Sequence, residues 1–236
     1  MVEGACVIVM EHMSMILFGT SNILSDIYDC SKALHKEIRA IILNVPEEVD
    51  SRSKGLQTRL GELGEHPLII ALEDFVPANG EEYFIVPTTP RRSLLVEYLR
   101  GKYQLRFTQL IHPTAYVSPY ARIGEGVYVG ARSTIAPGVV LKEHVFVNRA
   151  VSIGHDTVVH EYARVQPGSN IAGLTEIGRG VTVGIGATVI EKLVIGEGAT
   201  IAAGAVVLHD VEERTLVADI PAVAKKSLQR ETAAMR

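Results

Sequence analysis

The chain has no tryptophan among its 236 residues, only 6% aromatic side chains and only two cysteines. So few rings exclude a broad interior built on large flat side chains, and a narrow aliphatic core is expected. Cys6 and Cys30 are too few for a disulfide framework and read as reduced, buried thiols. No apolar run approaches the roughly 18 residues that a membrane-spanning helix needs. The short apolar stretch Ala5 to Met10 follows Glu3 and lacks the basic lead of a secretion signal. Lys and Arg (23) are outnumbered by Asp and Glu (27), and the net charge of −4 offers no basic footprint for nucleic acid. These absences lead to the expectation of a cytoplasmic protein that engages neither membrane nor nucleic acid.

What is present is a beat of six. Ile111, Val117, Ile123, Val129, Ile135, Leu141, Val147, Ile153, Val159, Val165, Ile171, Ile177, Val183, Val189, Ile195, Ile201 and Val207 follow one another at six-residue intervals without a slip. Four residues after each stands a small or short side chain, from Ala115 to Val211. Neither the 3.6 period of a helix nor the 2 of a strand gives this pattern; it is the signature of a parallel β-helix. Three repeats make one triangular coil of about 18 residues, with the branched aliphatic pointing inward and the small residue filling the corner. The position after the aliphatic is often glycine (Gly124, Gly130, Gly154, Gly178, Gly184, Gly196), as expected where the chain turns sharply. Each coil buries its face only against the next, so the array is a one-dimensional solenoid.

Before the repeat the texture changes. Strands are expected at Met15 to Phe18, Ile38 to Leu43, Leu68 to Leu72 and Tyr83 to Val86, with helices from Ile23 to about His35 and from Pro90 to about Lys102. Asn44 to Glu65 is polar and reads as a loop with a short helix. This alternation predicts a small parallel α/β domain, Rossmann-like in outline. The boundaries expected are a disordered extension at 1–14, the α/β domain at 15–110, the β-helix at 111–211 and a cap at 212–236, the last ending in a short helix from Lys225 to Arg236. The turn Gly19-Thr20-Ser21-Asn22 stands where such folds hold phosphate at a helix N-terminus. It has one glycine and not the three of the dinucleotide fingerprint, and Thr20, Ser21 and Asn22 serve equally as N-cap oxygens.

Within the repeat, the block Ser152-Ile-Gly-His155-Asp156 is the place for chemistry. A histidine raised above a β-helix can act as a general base near neutral pH, and an adjacent carboxylate can orient it. Neighbours on a strand point to opposite faces, so contact between His155 and Asp156 requires that the pair sit at a corner. Taken alone, the two are equally a solvated histidine and an ordinary exposed carboxylate.

Gly19-Thr-Ser, Tyr83 to Val86 with Arg91-Arg92, Ile111-His-Pro-Thr-Ala, Ser152-Ile-Gly-His-Asp, Ile171-Ala-Gly and Ile220-Pro-Ala occur in this order. Together they resemble the bacterial sugar acetyltransferases of the NeuD/PglD type, from about Met15 to Lys226. The resemblance implies a left-handed β-helix forming a homotrimer, with acetyl-CoA held between neighbouring subunits. It also implies a nucleotide-linked or free sugar as acceptor on the Rossmann-like domain, and direct acetyl transfer to its amine or hydroxyl, with no metal. The family's base falls on His155 and its acidic neighbour on Asp156. Coenzyme A contacts carry over to Ile185 and Ala203, and substrate contacts to Gly19, Thr20, Ser21 and Asn44.

The sequence departs from the family at three places. Arg164 stands where a second histidine is common, and an arginine there suits coenzyme A phosphates or open solvent alike. Asn44 and Val45 replace acidic residues at the end of the second strand, and the glycine- and histidine-rich first turn is reduced. Two rivals remain in view. Gly154-His155-x4-His160 also resembles the zinc-binding block of γ-class carbonic anhydrases, but no histidine lies between His112 and His144 to complete it. A non-catalytic β-helix scaffold is the other.

Overall fold

A computed structural model describes residues 14–45 and 54–229. The expected extension at 1–14 lies outside the described residues apart from Ser14, as do Cys6 and the tail beyond Gln229. Strand β1 (Ser14–Phe18), helix α1 (Leu24–Ala33), β2 (Glu37–Leu43), α2 (Leu56–Leu63), β3 (Leu68–Ala71), β4 (Glu82–Ile85) and α3 (Arg92–Tyr103) follow in order. The strands form one parallel sheet in the order β3-β2-β1-β4. β1 is fully buried from Met15 to Phe18, as expected of a central parallel strand covered on both faces. Burial pushes the Cys30 thiol up to about 12, so it is an inert core residue. No helix among the described residues is long and apolar enough to cross a membrane.

From Leu110 onward every repeat becomes a two-residue strand followed by a corner, and the strands stack into the three faces of a left-handed prism. The first face runs through Leu110–Ile111, Tyr128–Val129, Phe146–Val147, Arg164–Val165, Thr182–Val183 and Thr200–Ile201. The second runs from Tyr116–Val117 through Ser152–Ile153 to Val206–Val207, and the third from Arg122–Ile123 through Val158–Val159 to Val194–Ile195. Partners are 18 residues apart, as in Val140 with Val158 and Phe146 with Arg164, until the last coil, where Thr200 pairs with Leu216 and the spacing falls to 16. The aliphatic of each repeat and the residue four later fill the bore, from Val127 to Val217. Where that second residue is Ser or Thr, its buried hydroxyl finds a corner carbonyl: Ser133 donates to Asn148 O and Ser169 to Gly184 O, both at 2.7 Å.

Two expectations need correction. The glycines after the aliphatics do not make the sharp turn; the left-handed residue comes two positions later, at Gly126, Arg132, Asp156 or Gly180. They are small because the next coil's backbone passes over them: a Cβ on Gly124 would lie 2.7 Å from the Lys142 carbonyl carbon. Where the helix from Lys225 to Arg236 was expected to start there is instead a strand, Val223–Ser227, antiparallel to Thr215–Ala218 at the end of the first face; the rest of that segment, from residue 230, lies outside the described residues. The open edge of that face presents unpaired N–H and C=O groups, which a returning strand satisfies and a helix cannot.

The α/β unit rests on the first face. Tyr128 and Phe146 stack at 4.7 Å and join the core of β1, α1 and β4. Arg92, at the start of α3 and 5% exposed, pins the two together. Its guanidinium donates to Thr88 O and Thr89 O on its own side, and to His144 O and Ala163 O of the β-helix. Burial, then the nearby Arg164 charge, lower its pKa to about 9, which leaves it protonated at neutral pH.

Candidate active site

His155 lies on the edge where the second face meets the third. Ile153 ends one strand and Val158 begins the next, so residues 154–157 must turn the corner. Asp156 adopts a φ of 55° there, a left-handed conformation that Asp tolerates better than most residues. The corner turns two sequence neighbours toward each other, and His155 Nδ1 lies 2.9 Å from Asp156 Oδ2. An ionised carboxylate can only accept, so Nδ1 carries the proton and the Nε2 lone pair is left free. The ring packs over Gly173, one coil on, whose added Cβ would lie 2.7 Å from Nε2. The N–H groups of Ala172 and Leu174 donate to Val189 O and His155 O, while that of Gly173 has no protein acceptor among the described residues. A basic nitrogen and a free backbone donor therefore stand side by side.

His160 opens the next edge, where its Nε2 lies 2.9 Å from Glu176 Oε1. Among the described residues, no group of three His, Cys, Asp or Glu side chains is placed to hold a metal ion.

The sheet of the α/β unit has its topological switch between β1 and β4, the place where open parallel sheets receive ligands. A cavity of about 290 Å³ lies there, lined by Thr20, Asn44, Pro87, Arg91 and Tyr98 among others. Gly19 is needed on two counts: its φ is 76°, and a Cβ would lie 2.8 Å from Pro87 Cγ and 3.0 Å from Asn44 Oδ1. Ser21 does not line the cavity. Nor do Thr20, Ser21 and Asn22 cap α1, whose N-cap is Ile23 without a side-chain bond; Asn22 Oδ1 instead accepts from Arg59 at 2.7 Å.

A larger cavity of about 830 Å³ continues from Thr89 and Arg91 across the first face. Arg164, Arg179 and Arg214 line it, with Glu197 as the acid in its wall. Arg164 is half-buried and donates through Nε to Thr182 Oγ1 at 3.0 Å. Burial lowers its pKa from the usual arginine value. Arg179 lies 4.6 Å over the Tyr162 ring and 3.8 Å from Glu97. Ile185 and Ala203, by contrast, are exposed and sit one coil apart on the edge between the first and second faces. The structure thus joins His155 to Asp156, and Thr20 to Asn44. Within one chain it does not bring Arg164, Ile185 or Ala203 to His155.

Gly138, Arg179 and Arg214 escaped the sequence reading, and Gly173 entered it only within Ile171-Ala-Gly, with no role of its own. The two glycines were within reach of simple counting, since each stands 18 residues from a member of the pair. Nothing in the local sequence marks the arginines, which the stacking of separate coils brings to one cavity wall.

The repeat matches the model of the bacterial transferase hexapeptide family (six repeats) over residues 174–209. A search of curated proteins finds no significant match. Among solved structures, the acetyltransferase domain of PglB from Neisseria gonorrhoeae FA1090 is 26% identical with a TM-score of 0.76, covering 90% of this chain and 100% of that one. The same domain in complex with acetyl coenzyme A is 25% identical with a TM-score of 0.75, covering 91% and 100%. A perosamine N-acetyltransferase from Caulobacter crescentus, in complex with CoA and GDP-perosamine, has the same fold at 22% identity and a TM-score of 0.76, covering 91% and 97%. With its α/β unit and its unbroken beat of six, the chain carries the bacterial transferase hexapeptide repeat and is similar over about nine-tenths of its length to the acetyltransferase domain of PglB.

Proposed function

We propose that the protein transfers the acetyl group of acetyl-CoA to the amine or hydroxyl of a sugar, nucleotide-linked in its natural form, with His155 as general base. The observation that carries this is the His155–Asp156 pair, with its free Nε2 beside an unpaired Gly173 N–H. The acceptor's lone pair attacks the thioester carbonyl while Nε2 removes its proton. Gly173 N–H is placed to donate to the oxygen that becomes negative. Collapse expels the coenzyme A thiolate, which takes the proton back from the imidazolium. Asp156 fixes the tautomer and stabilises the positive ring between the two steps.

The nucleotide belongs in the crevice of Thr20 and Asn44, and phosphates belong along Arg91 and Arg164, where guanidinium groups meet them. The cationic cavity opens on the first face, whereas His155 occupies the edge opposite that face. Ile185 and Ala203 lie on a third place, the edge between first and second faces. These parts converge only if a neighbouring copy supplies its His155 edge, which supports a homotrimer with acetyl-CoA between subunits. Light scattering should give three times the chain mass.

The test is incubation with acetyl-CoA and a panel of amino sugars and nucleotide-sugars, wild type against His155→Ala. Loss of about 10²–10⁴-fold in kcat is expected for removal of a general base. Undiminished transfer by His155→Ala would overturn the assignment, and stoichiometric zinc in the purified protein would favour an anhydrase.

A further inference from the structure

We propose that Gly138 and Gly173 are positioning residues, which hold the His155–Asp156 pair in place by leaving room for it. The proposal rests on His155 being the base.

Along its edge, the place of His155 is filled in successive coils by Pro119, Pro137, His155, Gly173 and Glu191. The place of Asp156 is filled by Tyr120, Gly138, Asp156, Leu174 and Lys192. Glycine occurs once in each series, and each time directly against the pair: Gly173 one coil beyond His155, Gly138 one coil before Asp156. The fold itself does not ask for glycine at either place. Asp156, Leu174 and Lys192 carry full side chains at φ of 55°, 60° and 63°, close to the 75° of Gly138. Gly173 is outside the left-handed region altogether, and its place accepts Pro137 and Glu191.

What does ask for glycine is the pair. A Cβ on Gly173 would lie 2.7, 2.8 and 2.9 Å from Nε2, Cδ2 and Cε1 of His155. A Cβ on Gly138 would overlap Oδ1 of Asp156. In both cases the atoms closer than 3.0 Å are the far ends of side chains, and the one backbone atom nearby, Asp156 N, is 3.3 Å from the Gly138 Cβ. An added methyl group therefore displaces the ring or the carboxylate and leaves the coil where it is. The fold survives, and the Nδ1–Oδ2 contact does not. Bare backbone at Gly173 also keeps the approach to Nε2 open.

The experiment measures kcat and KM, with acetyl-CoA and the best amino sugar of the panel, for Gly138→Ala and Asp156→Ala singly and together. Gly173→Ala is paired with His155→Ala in the same way. The ¹⁵N resonances of the His155 ring are recorded for each protein without substrate. Gly138→Ala is expected to lower kcat about tenfold or more, within the roughly 10²–10⁴-fold that a general base supplies, with KM near wild type. It should cause no further loss in the Asp156→Ala background. Its ring resonances should match those of Asp156→Ala, having lost the mark of an Nδ1–H bound to a carboxylate. Gly168→Ala is the control for backbone strain, because Gly168 has a φ of 69° and nothing within 4 Å of an added Cβ; it should keep the wild-type kcat. Losses that simply add in the double variants, or unchanged ring resonances in Gly138→Ala, would overturn the proposal while leaving His155 as base. Full activity of His155→Ala would overturn the base itself, and the resonances would still report whether the glycines hold the pair.

Discussion

His144 makes the stability of this protein depend on acid in a way that can be isolated. The side chain is 1% exposed, packed where the α/β unit meets the β-helix. Its ring stacks flat on Tyr162 at 5.5 Å, meets Phe107 edge-on at 5.0 Å, and sits over Gly126, where a Cβ would overlap it. The charged groups facing it are Arg100, whose Nη2 lies 3.5 Å from Nε2, and Arg92, which donates to its carbonyl. Burial first, then Arg100 and Arg92, depress its pKa from 6.5 to about 3. The unfolded chain therefore takes up a proton that the native ring refuses. Stability is at its full value above pH 6.5 and falls as pH drops from there toward 3, by about 1.4 kcal/mol per unit. Between pH 6.5 and 5, a span of 1.5 units, the loss is about 2 kcal/mol. Ordinary carboxylates ionise below this window and contribute little within it. His144→Asn removes the titrating group while keeping a residue that tolerates the φ of 54°. Urea unfolding of both proteins at several pH values between 5 and 8 measures the difference. The variant, less stable at pH 7, should lose about 2 kcal/mol less than wild type on acidification to pH 5. Parallel pH profiles would refute the reasoning.

Two further perturbations address how the prism and its partner are held. Gly154→Ala places a Cβ 2.7 Å from the Ala172 carbonyl carbon and against Gly173 N, both backbone of the next coil. A loss of about 1–3 kcal/mol is expected, and an unchanged thermal midpoint would show that coil spacing is looser than described. Arg92→Leu leaves the His144 carbonyl without its donor and takes one of two donors from Ala163 O, which keeps Phe146 N–H at 2.9 Å; each charge-assisted bond is worth about 1.5–3 kcal/mol. Amide exchange should rise in α3 before it rises in the coils beyond Thr182, and equal protection in variant and wild type would contradict the pinning role.

The prism was legible because its period is enforced by burial: a single slipped repeat would turn Ile153 or Val165 out of the bore. The corner contact of His155 with Asp156 was legible as a condition, since only a turn lets adjacent residues meet. The start of the tail was misread because charge and alanine in Lys225 to Arg236 favour a helix locally. Residues 223–227 answer instead to the open edge of the first face, which no local window contains. The α1 cap was misread for a similar reason, since Asn22 is engaged by Arg59, 37 residues away. The arginine wall was invisible because Arg164, Arg179 and Arg214 become neighbours only when the coils stack. Gly19 was noticed for its turn, but its closest constraint is Pro87, beyond the end of β4.

The 18-residue register also makes length a countable property. From His155 toward the strands that close the prism, the same edge passes through residues 173 and 191, each step adding 18. Each step advances the stack by one strand spacing, about 4.8 Å, without rotating it. Inserting one whole coil between Gly173 and Thr215 would lengthen that edge by the same increment, and the base would keep its direction and its neighbours. An extended ligand lying on this edge is thus measured in whole coils, so its reach can change by integers while the chemistry at one end stays as it is.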